Sequence, residues 1–182
     1  PASSRSSPTS IATPSDGLIV ADVHLRGADG YNLPAYVARP SGPGRHPAVI
    51  VVNEVFGIHD YIKDICRRLA HAGYVAVAPD YFDRAGDPAP LTDFNAIRAI
   101  VQTAHYEQVM GDTRGAIRWL RRQNFVNRNA LAITGFCWGG GVVWMAAARF
   151  PELKAAAAWY GPLLPPQPNG FGYEQGRRFR SG

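Results

Sequence analysis

A cysteine framed by glycine two residues away on either side constrains this chain more than any other feature. The segment is Gly135-Phe136-Cys137-Trp138-Gly139-Gly140-Gly141, entered from the β-favouring run Leu131 to Ile133 and followed by a helix-compatible run, Val142 to Phe150. The pattern G-x-nucleophile-x-G suits a sharp strand-to-helix turn, the nucleophile elbow, which holds its central residue in strained backbone geometry. Such a turn presses the backbone two residues before the nucleophile against the backbone two residues after it. A Cβ at either place clashes, and glycine removes the clash. The nucleophile here is a thiol in place of the more usual hydroxyl. A plainer alternative treats Cys137 as a small buried hydrophobe, with Gly139 to Gly141 serving close helix–strand packing or a phosphate-binding turn. The G-x-G-x-x-G fingerprint of such a turn does not follow this strand, which favours the elbow.

At 182 residues the chain is long enough for one domain with a substantial core. Its apolar and charged fractions are those of a soluble globular protein, with no run as long as a membrane-spanning helix. The net charge of +5 is scattered over Arg67-Arg68, Arg121-Arg122 and the terminal Arg177, Arg178 and Arg180. Nucleic-acid binding calls for a concentrated basic surface with aromatic platforms, and no such motif is present. Two cysteines, Cys66 and Cys137, make no disulfide framework and suit a reducing compartment, so a cytoplasmic location is expected. Residues 1–17 are rich in Ser, Pro and Thr without an apolar stretch and read as a disordered leader; export by a signal removed before Pro1 stays open.

Leu18 to Leu25 and Leu33 to Ala38 flank a Gly/Asp turn at Gly27 to Gly30 and read as an antiparallel hairpin, with Pro34 fitting an edge strand. Ala48 to Val52 is an apolar run of the kind buried on both faces in parallel sheets. Tyr61, Ile62, Ile65, Leu69 and Ala70 then recur at helical spacing, and Gly73 suits a left-handed cap. Tyr74 to Ala78 is a second buried strand, stopped by Pro79. Leu91 to Gln123 is mostly helical, Asn124 to Asn129 a polar turn, and Leu153 to Tyr160 a last apolar strand. The alternation predicts an α/β domain over 18–161 with a mainly parallel sheet and helices on both faces. Residues 162–182, with Pro- and Gly-rich composition and no amphipathic period, read as an unstructured tail.

Four blocks carry a resemblance. They are Val51-Val52-Asn53-Glu54-Val55-Phe56-Gly57-Ile58-His59, Ile65 to Ala70, Gly73 to Pro79, and Ile133-Thr134-Gly135-Phe136-Cys137-Trp138-Gly139-Gly140 running on to Ala157-Ala158-Trp159-Tyr160-Gly161. In this order they resemble the dienelactone hydrolase (carboxymethylenebutenolidase) family of α/β-hydrolases, over roughly Leu18 to Gly161. The resemblance implies a Cys-His-Asp triad that opens an enol-lactone or related carboxylic ester through an acyl-thioester, with no metal and no cofactor. Cys137 matches the nucleophile. Glu54 matches a carboxylate that sits beside the resting thiol and restrains its ionisation, since only the thiolate attacks and a neighbouring negative charge disfavours a second one. An ordinary salt bridge at a strand end is the alternative for Glu54. Oxyanion donors in this fold are backbone N–H groups, here those of Trp138 and Val55. Phe56, Trp138 and Tyr160 are candidate walls of a substrate pocket, although aromatics at strand ends are often core. Arg84 is a candidate partner for a substrate carboxylate, with a solvated surface arginine as the plainer reading.

The match breaks downstream. The triad of this fold runs nucleophile, acid, histidine, yet after Cys137 the sequence has no histidine and no aspartate, only Glu152 and Glu174. The family's later strands, and the loops presenting acid and base, are therefore expected to lie outside this sequence. His59 is the one candidate substitute base, with a surface loop histidine as its default reading. Weak or absent hydrolysis by these 182 residues is the expectation. The strand ending at Tyr160, internal in the complete fold, is expected to expose an edge and an apolar face, favouring self-association. A non-catalytic remnant or interaction protein of the same fold is the alternative; a thiol redox protein lacks the C-x-x-C arrangement.

Overall fold

The computed structural model describes residues 12–163. The hairpin forms as the turn signals predict: β1 (Leu18–Arg26) and β2 (Asn32–Pro40) pair antiparallel around a short 3-10 turn at Ala28–Gly30. The apolar run at Ala48 lies in β3 (His46–Val52), which leads to helix α1 (Asp60–His71) and on to β4 (Val75–Pro79). Gly73, at φ 94°, takes the left-handed turn that releases the chain from α1 into β4. The helical stretch that follows divides into α2 (Phe94–Val101) and α3 (Tyr106–Arg122). It returns through β5 (Val126–Phe136) to α4 (Trp138–Arg149) and β6 (Leu153–Trp159).

The six strands form one sheet in the order β1-β2-β4-β3-β5-β6. β3 pairs parallel with β4 and β5, and β5 with β6, while the hairpin adds antiparallel along β4. Alternation along β3 shows how the two layers are filled. Val49 and Val51 point to one side, where they pack with Ile62, Cys66 and Ala70 of α1. Ile50 and Val52 point to the other, toward Ile97 of α2, Ile117 of α3 and Val142 of α4. A strand buried on both faces needs apolar residues at every position, which is why β3 and β4 read as unbroken runs.

Three expectations need correction. β2 lies between β1 and β4, so Pro34 is not on an edge strand. Its carbonyl accepts from the Asp80 N–H at 2.8 Å, just past the last β2–β4 pair, Ala35 with Pro79. The N–H and C=O of a strand residue point the same way, so the missing donor of Pro34 falls where β4 has already ended. Second, β5 begins inside the segment read as a polar turn, because Val126 is buried and pairs with His46. Third, the leader read as reaching residue 17 extends too far. The buried Asp64 of α1 accepts the Thr13 N–H at 2.6 Å, and Arg67 donates to the Thr13 carbonyl at 2.7 Å. Residues 1–11 and 164–182, which hold the rest of the expected leader and nearly all of the expected tail, lie outside the described residues.

Among the described residues β6 ends the sheet on one side, with no strand paired to its outer edge. Lys154 through Ala157 are exposed, and a trough of about 510 Å³ runs over this end of the sheet between Ile65 and Leu69 of α1 and Ala132, Phe136, Ala155 and Trp159. Among the described residues no helix is long and apolar enough to cross a membrane.

Candidate active site

β5 delivers the chain to the elbow. Cys137 sits between β5 and α4 with φ 52° and ψ −118°, a conformation that L-residues rarely adopt. The glycines make the turn possible in the way their spacing predicts. A Cβ on Gly135 would lie 2.5 Å from the Gly139 carbonyl oxygen, and one on Gly139 would lie 2.5 Å from the Asn53 oxygen and 2.6 Å from that of Val52. The start of α4 is thus seated directly on the end of β3. On the other flank the Cys137 N–H donates to the Trp159 carbonyl at 3.0 Å. Gly140 and Gly161 touch so closely that neither has room for a side chain.

Glu54 follows the end of β3. The buried Asn53 donates from Nδ2 to the Glu54 carbonyl at 2.6 Å, and the Gly57 N–H donates to the same oxygen at 3.4 Å, which folds residues 54–57 into a turn. The half-buried Glu54 carboxylate accepts from the Tyr160 hydroxyl at 3.0 Å. That hydroxyl sits within the field of both Glu54 and Cys137. Loss of hydration, the bond to Glu54 and these charges push the Tyr160 phenol up to about 12. The Tyr160 residue is 70 % exposed, so the bond to Glu54 and not burial is its main hold.

His59 stands at the start of α1, edge-on to Phe56 at 6.4 Å and stacked over Tyr61 at 6.3 Å. Burial lowers its imidazole below the usual histidine range, while Glu54 and Asp60 pull it part of the way back. It is therefore a neutral ring at neutral pH, near Glu54. Its buried Nε2 has no hydrogen-bond partner among the described residues.

The remaining candidates separate. Val55 is buried at the β3 end, beside Glu54. Trp138 opens α4, where the first N–H groups of a helix point out of its N-terminus. Its indole is core and not pocket wall, 2 % exposed and tilted onto Phe82 at 4.7 Å. Phe56 is half-buried between His59 and Phe94. Arg84 is not available as a free cation. Both terminal nitrogens fork onto the buried Asp112 at 2.6 and 2.8 Å, and the guanidinium lies 4.1 Å over the Tyr31 ring. The second cysteine is chemically distinct from the first: burial pushes the Cys66 thiol up to about 12, leaving it inert at neutral pH.

Of the residues that the sequence singled out, Glu54 and Val55 lie just past the end of β3, and Cys137 and Trp138 just past the end of β5, which pairs with β3 in parallel. The sequence reading missed Asn53, for which a polar residue within a buried strand end was a usable signal. It missed the Tyr160–Glu54 bond, which spans 106 residues and leaves no local trace.

A mainly parallel sheet with helices on both faces, and a strained strand-to-helix turn between β5 and α4, define an α/β-hydrolase fold. A family model, the dienelactone hydrolase family, matches residues 33–171. The chain belongs to the dienelactone hydrolase family. A Salmonella typhi protein provisionally named a carboxymethylenebutenolidase is 46% identical over 166 residues, covering 90% of this chain and 61% of that one. A Bradyrhizobium protein, provisionally named a 2-oxo-3-(5-oxofuran-2-ylidene)propanoate lactonase, is 38% identical over 137 residues, 75% of this chain and 54% of its own length. The crystal structure of a provisionally named dienelactone hydrolase from Klebsiella pneumoniae superposes with a TM-score of 0.78 at 41% identity, over 85% of this chain and 65% of that one. The chain thus spans about three-fifths of the length of such relatives.

Proposed function

We propose that this chain carries the nucleophile half of a lactone- or ester-opening site, with Cys137 as the attacking thiol. The observation that carries the reading is the left-handed, strained Cys137 held between β5 and α4 by glycines that admit no side chain. The Cys137 thiolate adds to the carbonyl carbon, and the N–H groups of Val55 and Trp138 receive the developing oxyanion. Collapse breaks the acyl C–O bond and leaves a thioester on Cys137; for an enol-lactone the expelled enolate stays attached to the acyl chain. Glu54 restrains the thiol before substrate arrives. Water must then cleave the thioester, and this step needs a base to take the water's proton. No histidine follows Cys137, and the neutral His59 faces Glu54.

A chromogenic ester tests this. Expected is one equivalent of alkoxide or phenolate released in a burst that Cys137→Ser removes, a covalent adduct on the Cys137 peptide, and slow turnover after it. Sustained Cys137-dependent turnover by the 182-residue chain refutes the half-site reading. Labelling of Cys66 in place of Cys137 refutes the nucleophile assignment.

The second reading is an interaction protein of the same fold that self-associates through β6. It is supported by the open edge and the apolar trough beside it. Sedimentation as a concentration-independent monomer removes it.

A further inference from the structure

We propose that Tyr160 is a positioning residue that clamps the Glu54 carboxylate beside the elbow and, through Glu54, governs the reactivity of Cys137. The inference rests on the nucleophile reading of Cys137 and adds to it a residue whose side chain need not touch substrate at all.

Three observations converge. The first is the bond itself, from the Tyr160 hydroxyl to Glu54 Oε1 at 3.0 Å. The second is backbone strain. Among the described residues only Asp29, Cys137 and Tyr160 are non-glycine positions at positive φ, and Tyr160 adopts 42°. The residue is 70 % exposed, so core packing does not repay that conformation. The third is mechanical linkage. The carbonyl of Trp159, just before Tyr160, accepts the Cys137 N–H, and Gly161, just after it, is pressed against Gly140. The two strained residues are therefore held by one interlock between the elbow and the end of β6. Moving either one disturbs the other.

The chemistry follows from what a phenol does at neutral pH. With its proton held more tightly than usual, Tyr160 stays a donor throughout the range in which thiols titrate. A carboxylate fixed by a donor cannot swing away into water, and on this proposal Tyr160, whose hydroxyl feels both Glu54 and Cys137, keeps that charge on the elbow side, where it opposes a second negative charge. The groups that face this point are Glu54 and His59 from the β3–α1 connection, Asp60 and Tyr61 from α1, Cys137 from the elbow and Tyr160 from the end of β6. His59 is neutral, which leaves Glu54 and Asp60 as the charges around it.

The test is the pH profile of iodoacetamide alkylation at Cys137 in the folded chain, read peptide by peptide with Cys66 as the buried control. Tyr160→Phe keeps the ring and removes only the hydroxyl. Its profile is expected to move about half a unit toward acid, giving roughly threefold faster alkylation near neutral pH. Glu54→Gln is expected to move at least as far, and the double variant no further than Glu54→Gln alone, because Tyr160 acts only through Glu54. An unmoved Tyr160→Phe beside a shifted Glu54→Gln overturns the clamp and leaves the nucleophile standing. Additive shifts overturn it too, as does an unmoved Glu54→Gln. If Cys137 reacts only after unfolding, the nucleophile reading falls and the clamp falls with it.

Discussion

Gly135 and Gly139 face each other across the elbow so closely that a Cβ on the first meets the carbonyl oxygen of the second at 2.5 Å. The obstacle is backbone on both sides, with no flexible side chain to yield. Gly135→Ala is expected to cost about 3 kcal/mol or more and to blunt Cys137 labelling, as measured by urea unfolding and thiol titration. Gly42 is the control: nothing lies within 4 Å of its Cβ position. Gly42→Ala should stay within about 0.5 kcal/mol of the parent.

Strain at Cys137 should be visible thermodynamically. Its φ of 52° with ψ of −118° is accessible to glycine and unfavourable for alanine. Cys137→Gly is therefore expected to be more stable than Cys137→Ala by about 1 kcal/mol, although both lack the thiol. Equal stabilities in denaturant would show that the turn is relaxed.

Asp112 and Arg84 test the reassignment of that arginine. Asp112 is fully buried with Arg84 forked onto it, and it also accepts the Ala28 N–H at 2.7 Å. Asp112→Ala strands a cation and a backbone donor and should cost about 3 kcal/mol. Arg84→Ala should likewise destabilise, and the rate of thioester formation on a neutral ester should not change beyond that loss. A specific loss of reactivity toward carboxylate-bearing esters, at unchanged stability, would return Arg84 to the substrate.

Asp80 gives a pH dependence of unusual sign. Burial, with repulsion from Asp83 and Asp87, raises its carboxyl to about 6, even though the Phe82 N–H favours the charged form. In the unfolded chain a carboxyl titrates near ~3.9. The folded state therefore holds this proton more tightly, and its stabilising contribution is full below about pH 4 and disappears as pH rises to about 6. Asp80→Asn should remove that decline and gain on the order of 2 kcal/mol over the parent near neutral pH. Urea midpoints at about pH 4 and about pH 7 for both proteins decide it; a parent that strengthens across this window at the same rate as the variant sinks the assignment.

What the sequence disclosed was whatever is encoded locally. The elbow was legible because its glycines and its thiol lie within five residues, and β3 because a strand covered on both sides shows an unbroken apolar run. Pro34 misled because edge position is a property of neighbours: what counts is where β4 stops, which no pattern within β2 reveals. Arg84 misled for the same reason, its partner Asp112 lying 28 residues away on α3. Thr13 looked like part of a loose leader until a buried carboxylate on α1 supplied the acceptor its N–H needed.

The alanines of β6 have a consequence beyond exposure. Register between strands is normally fixed because a slip exchanges unlike side chains and moves apolar groups to the wrong face. Ala155, Ala156, Ala157 and Ala158 are identical, and Lys154 alone marks where the row begins. A strand laid along this edge meets the same surface at several offsets, so the edge attracts partners without telling them where to stop. Assemblies built on it alone should be polydisperse, and a single sharp species would mean that the flanking Leu153 and Trp159, not the alanines, set the alignment.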